Sequence, residues 1–133
     1  MRDKIAEFEK RNVQLFAIDP HESHRVRHML RDVGTKPDEV LYPVLADPVN
    51  EVSAAYGVAF QMGIHTEWSN RPATFLIDKD GVIRYEKRGT TFNDRPKPAD
   101  ILAEIDKIGE GKMICRLVAW SERFSFVRLL AET

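Results

Sequence analysis

The residues of this chain that are able to do chemistry are few and widely spaced. Cys115 is the single thiol, and the neighbouring Arg116 is the kind of cation that lowers a thiol pKa and favours the nucleophilic thiolate. Against a catalytic role, sequence neighbours on a strand or helix point apart, and a free cysteine commonly behaves as a small buried hydrophobe. His21, His24 and His28 share one short segment, and the 24/28 pair has the i, i+4 spacing of a metal-binding helix face. Arg25, Arg27 and Arg31 load the same segment with positive charge, and no Glu or Cys is arranged to complete a ligand set. A solvated polar face is therefore expected there, and no metal site. Asp19 and Asp47 each precede a proline, which suits helix caps and needs no catalytic role. Neither a glycine-rich phosphate loop nor a Ser-His-Asp nucleophile pattern is present.

Bulk properties narrow the class. At 133 residues the chain is long enough for one domain with its own core. With 43% hydrophobic and 31% charged residues it reads as a soluble globular protein, neither disordered nor membrane-spanning. A net charge of −1 gives no case for a nucleic-acid or membrane surface. One cysteine excludes an internal disulfide, a Cys-x-x-Cys pair and a cysteine-rich zinc site, and no cofactor is implied. Residues 1–12 are too charged for a signal peptide, so a cytoplasmic location is the expectation.

The elements that must position these residues follow from apolar spacing. Residues 2–11 suit a short helix with Ile5 and Phe8 on one face. The run Val13–Asp19 has strand length and is apolar enough to be covered on both faces. Asp19-Pro20-His21-Glu22 predicts a capped helix start, with Val26, Met29, Leu30 and Val33 inward and Gly34 as the stop. A short strand follows at 42–46. Asp47-Pro48 repeats the cap signal for a helix packed through Val49, Val52, Ala55 and Tyr56. Residues 58–70 show no clear period. Strands near 73–78 and 82–88 flank the Lys79-Asp80-Gly81 turn, and a last helix carries Ile101, Leu102, Ile105 and Ile108. Strands alternating with helices, then a hairpin and a helix, define an α/β domain with a mixed sheet.

Three motifs carry a resemblance to a known family: Val13 to Pro20, a strand ending in Asp-Pro; Tyr42-Pro43-Val44-Leu45-Ala46-Asp47-Pro48 running on to Tyr56-Gly57-Val58; and Arg71-Pro72-Ala73-Thr74-Phe75-Leu76-Ile77-Asp78 with Asp80-Gly81-Val82. Together they resemble the alkyl hydroperoxide reductase/thiol-specific antioxidant branch of the thioredoxin-like superfamily, the peroxiredoxin-like redoxins. The resemblance implies a thioredoxin-like mixed sheet flanked by helices. It also implies thiol-dependent reduction of hydroperoxides or disulfides, with an external thiol reductant or thioredoxin-like protein as partner. By the same resemblance Pro72 is a cis-proline facing the active site, with Arg71 (one residue off the usual arginine position), Thr74 and Trp68 as candidates along that edge. For Thr74 and Trp68, packing is the simpler expectation.

Members of that family place a reactive cysteine on the helix after an early strand, where the helix dipole and free N–H groups stabilise a thiolate. Residues 2–11 resemble only the later part of that helix. The resemblance thus implies an N-terminally truncated redoxin domain over residues 1–111, with a gap in the sheet between the Val13–Asp19 strand and the 73–78 strand. Such a gap would leave two rows of backbone groups unpaired. Residues 112–133, an extension packing on the same domain, offer one way to fill it: a strand ending near Trp120, then a helix with Phe124, Val127 and Leu130 inward and Phe124 and Phe126 near the expected cysteine positions. A single amphipathic helix through Met113, Leu117, Trp120, Phe124 and Val127 fits the periodicity equally. A homodimer exchanging strands is the other way to fill the gap.

Overall fold

In a computed structural model the chain is described over residues 2–32, 34, 36–61, 68–91, 93–109 and 115–120, with the backbone alone for 2, 3, 29, 37 and 115–120. Helix α1 (Arg2–Lys10) leads into β1 (Val13–Asp19), α2 (Ser23–Asp32), a 3-10 turn (Pro37–Glu39), β2 (Val44–Ala46) and α3 (Glu51–Ala55). Then come β3 (Ala59–Gln61), β4 (Trp68–Asn70), β5 (Ala73–Ile77), β6 (Ile83–Arg88), α4 (Pro98–Ile108) and β7 (Cys115–Trp120). The main sheet runs β2-β1-β7-β5-β6, and β3 and β4 form a separate two-stranded sheet. Strands β2 and β7 lie parallel to β1, whereas β5 is antiparallel to both β7 and β6.

The position of β7 decides between the two readings of the chain's last segment. Residues Cys115–Trp120 form a strand between β1 and β5, in register from Val13 against Cys115 to Ile18 against Trp120. Backbone pairing on both sides outweighs the helical spacing of the same side chains, because the unpaired alternative leaves buried N–H and C=O groups on β1 and β5. The expectations for residues 121–132, Phe124 and Phe126 included, lie outside the described residues.

Two apolar clusters sandwich the sheet. On one face Ile5 and Phe8 of α1 and Ile101 and Ile105 of α4 meet Val13, Leu15 and Ala17 of β1 and Leu76 of β5. On the other, Ile18, Val58, Ala73, Phe75 and Ile77 pack together with Tyr56 at the edge. All five residues of β5 are buried, as befits a strand covered on both faces. Edge strand β6 instead exposes Arg84, Glu86 and Arg88, charges of the kind that discourage edge-to-edge association. At the turn between β5 and β6, Asp78 Oδ1 accepts the amides of Asp80 and Val82, and its Oδ2 meets Arg84 Nε at 2.6 Å. The Val82 amide above all, with Arg84 and the Asp80 amide, holds the Asp78 carboxyl below its usual range.

Several expectations are corrected. Helix α2 begins at Ser23, not at Pro20: the Glu22 carbonyl takes the first helical amides, from Arg25 and Val26, while the Asp19 side chain is held by His21. Helix α3 is not packed through Val49, Val52 and Ala55; these are exposed, Val49 to 79%, and Ser53 is the buried side chain. The inward side of this short helix is polar because Asp47 reaches into it. Residues 58–70 contain the β3–β4 pair. No peptide bond among the described residues is cis, so Pro72 follows a trans bond.

Candidate functional site

The parallel strands β1, β2 and β7 all end on the side of the sheet where β5 begins. In open α/β sheets this carboxyl end is where ligands bind. Register places the pieces: Ile18 pairs with Trp120, and Trp120 with Ala73. Asp19 and Pro72 therefore lie two strand spacings apart, about 10 Å, with the end of β7 between them.

Polar contacts brace this end from behind. The Asp47 amide donates to the Asp19 carbonyl at 2.8 Å, tying the ends of β2 and β1 together. The Asp47 carboxylate accepts the Val52 amide at 3.2 Å, the Ser53 amide at 2.8 Å and the Ser53 hydroxyl at 2.6 Å. Ser53 Oγ in turn lies 3.4 Å from Asn70 Nδ2. Asp47, Ser53 and Asn70 are all buried, so this short chain of hydrogen bonds operates where each bond matters most. Asn70 directly precedes Arg71 and Pro72. The Arg71 amide donates to Val58, and the Pro72 carbonyl accepts the Gly89 amide at 2.7 Å. Only glycine fits at 89: a Cβ there would meet the Asp94 carbonyl oxygen at 2.6 Å and that of Pro72 at 3.2 Å.

The side chains expected along this edge divide sharply. Arg71 is exposed, with its guanidinium carbon 5.7 Å from the Phe60 ring centre, a cation–π contact. Pro72 is buried, and Thr74 is buried within β5 opposite Lys87 and Ala119. Trp68 is not packed as expected but 61% exposed, on the short β4 strand. Arg88 sits over Phe75 at 5.7 Å and donates to the Tyr56 carbonyl.

Cys115 is not brought to this edge. It opens β7 opposite Val13, whereas Trp120 closes the strand opposite Ala73. The intervening backbone spans roughly 16 Å. The histidines are separated by their partners. His21 Nδ1 lies 2.7 Å from Asp19 Oδ1 and His24 Nδ1 lies 3.0 Å from Glu22 Oε2. No cluster of three or more His, Cys, Asp or Glu forms among the described residues.

Ser53, Asn70 and Gly89 were not singled out by sequence, although they hold Arg71 and Pro72 in place. A glycine just after a strand and an Asp-x5-Ser spacing were the available signals, and neither is specific without knowledge of which loops meet.

The sheet order, the hairpin and the proline-led edge define a thioredoxin-like α/β protein. The AhpC/TSA family pattern matches residues 1–86. Over 97 residues the chain is 31% identical to alkyl hydroperoxide reductase C of Buchnera aphidicola subsp. Baizongia pistaciae (strain Bp), covering 70% of this chain and 44% of that protein. The chain belongs to the AhpC/TSA family, as a peroxiredoxin-like redoxin, and spans less than half the length of this relative. No helix among the described residues is long and apolar enough to cross a membrane.

Proposed function

We propose that this chain is a redox domain of the peroxiredoxin-like kind, which presents the Arg71–Pro72 edge to a hydroperoxide or disulfide that is reduced by a thiolate. The observation that carries this reading is the end of β7: Trp120 lies between Ile18 and Ala73, beside the braced Pro72 backbone. The relative's name, alkyl hydroperoxide reductase C, supports the hydroperoxide as substrate class. In such chemistry a thiolate attacks one peroxide oxygen, the O–O bond breaks, and the alcohol leaves with a proton. The resulting sulfenic acid condenses with a thiol, releasing water and forming a disulfide that an external thiol reductant resets. Arg71, unpaired with any carboxylate among the described residues, supplies a positive charge at the edge. The setting is cytoplasmic, where thiol reductants are abundant.

The chain's one thiol, Cys115, opens β7 at the far end of the sheet from this edge. The 133 residues by themselves are therefore inactive as a peroxidase. That separation favours a second reading, a non-catalytic thioredoxin-fold module whose Pro72 edge holds an extended peptide.

Hydroperoxide consumption with dithiothreitol, measured on this polypeptide and on Cys115→Ser, separates the possibilities. Equal background rates are expected. Turnover abolished by Cys115→Ser would make Cys115 the nucleophile and overturn the assignment of the chemistry to the Pro72 edge. The intact mass and peroxidase activity of the protein from its native locus complete the test. Activity in a species heavier than 15.3 kDa supports the redox reading. An inactive 15.3-kDa species leaves the binding module.

A further inference from the structure

The opposite end of the sheet carries a feature that the redox reading does not use. Strand β2 pairs with β1 only from Ala17 to Asp19. The Ala17 amide donates to the Pro43 carbonyl at 3.0 Å, and the Asp19 carbonyl accepts the Asp47 amide. Residues alternate in the direction of their backbone groups along a strand, so Val13 and Leu15 present their N–H and C=O groups to the same side as Ala17 and Asp19. One rung earlier in this parallel register, the Leu15 carbonyl would need the amide of Pro43. Proline has none, so the ladder stops there. Among the described residues nothing continues it beside Val13 and Leu15.

This open stretch lines a cleft of about 370 Å³ between α1 and the loop that leads into β2. Its walls are mixed, with apolar Ile5, Leu15, Leu41 and Pro43 beside polar Asn12 and Gln14. Leu41 remains 55% exposed at the rim. Among the described residues Glu9 is the charged member of the lining, it makes no ion pair, and no Lys, Arg or His lines the cleft. The volume suits a few side chains of an extended segment, and the backbone groups suit its main chain.

We propose that this cleft is a docking site for an extended peptide strand of another protein, which pairs with the backbone of Val13 and Leu15, seats apolar side chains against Leu15 and Leu41, and places a basic side chain at Glu9. Main-chain bonds supply the affinity in such strand addition, and the flanking pockets and charges supply the choice of partner. The site lies at the end of β1 remote from Pro72, so it is independent of the redox assignment.

Amide hydrogen exchange on the whole chain tests this directly, with an acetylated and amidated Val-Lys-Val-Lys-Val peptide as the probe. In the free protein the Val13 and Leu15 amides should exchange faster than that of Ala17. Saturating peptide should slow both by about tenfold, the order of one added hydrogen bond. The same peptide N-methylated at alternate amides should protect neither. Glu9→Lys, on the exposed side of α1, should weaken binding about fivefold without changing the fold. The proposal is overturned if millimolar peptide leaves the two amides unprotected, or if the N-methylated peptide protects them equally. It is also overturned if Glu9→Lys binds as tightly as the parent. Protection that grows with protein concentration in the absence of peptide would assign the edge to a second copy of the chain instead.

Discussion

The two ends of the sheet were built by opposite means. At the carboxyl end, β1 and β2 are tied by the Asp47 amide, Ser53 and Asn70 brace the approach to β5, and Gly89 lets two backbones touch. At the amino end β1 keeps β7 on one side but, among the described residues, has no strand beside Val13 and Leu15 on the other, next to an open cleft where the Glu9 carboxylate makes no ion pair. A rigid edge preorganises whatever reacts there, whereas an unpaired edge is available for association. Exposed Arg71 and buried Pro72 belong to the first kind of surface; Val13 and Leu15 belong to the second.

Substitutions break or sharpen that contrast in a definite order. Phe75→Ala, at a fully buried position of the strand that carries the braced edge, should cost about 3–5 kcal/mol in urea unfolding, and its midpoint should fall accordingly. Asp47→Ala removes the acceptor of three hydrogen bonds from a buried site and should cost about 2–3 kcal/mol. Backbone shifts in its NMR spectrum should centre on residues 52–54 and 70–72. Gly89→Ala forces the Pro72 and Asp94 carbonyls apart, with an expected loss of about 1–3 kcal/mol. If it leaves the Pro72 carbonyl carbon and the Ala73 amide shifts untouched, the close contact is not what holds the edge. Glu9→Lys and Gln14→Lys, at exposed positions of the open end, should alter stability by less than about 0.5 kcal/mol. Losses there comparable to Asp47→Ala would erase the distinction between the ends.

A pH series gives the smallest and most local signal. The folded Asp78 carboxyl titrates below its unfolded value of about 3.9. Its contribution is therefore complete above that pH and is lost as the pH falls through the folded pKa. Thermal midpoints of the parent and Asp78→Asn should converge below about pH 4; a constant gap down to pH 2 would contradict the Asp78–Arg84 turn. At the alkaline end, burial raises Tyr42 to about 12, so its neutral phenol favours the fold up to about pH 10 and loses that advantage between there and pH 12.

Local patterns made much of this legible. Strand β1, the β5–β6 hairpin at Lys79-Asp80-Gly81 and helix α4 with Ile101 and Ile105 inward follow from apolar spacing and turn residues that act within a few positions. Arg71, Pro72 and Thr74 follow from the family motif; the match over residues 1–86 bears out the family, and the role of these three residues belongs to the proposal. Helix α3 was misread because Val49, Val52 and Ala55 have helical spacing, while the contact that orients the helix is a carboxylate reaching forward to Ser53. The start of α2 was misread because Asp19 completes β1 and keeps its side chain for His21.

By itself the sequence determined the family, the α/β class and the strand that follows Pro72, because those signals reside in neighbouring residues. Only the tertiary structure decided that Cys115–Trp120 is a strand, since that segment satisfies both strand and helix periodicity until β1 and β5 offer their backbones on either side. The same pairing set Cys115 at the far end of the sheet from Pro72. Hydrogen bonding between distant segments, absent from any local pattern, made both choices.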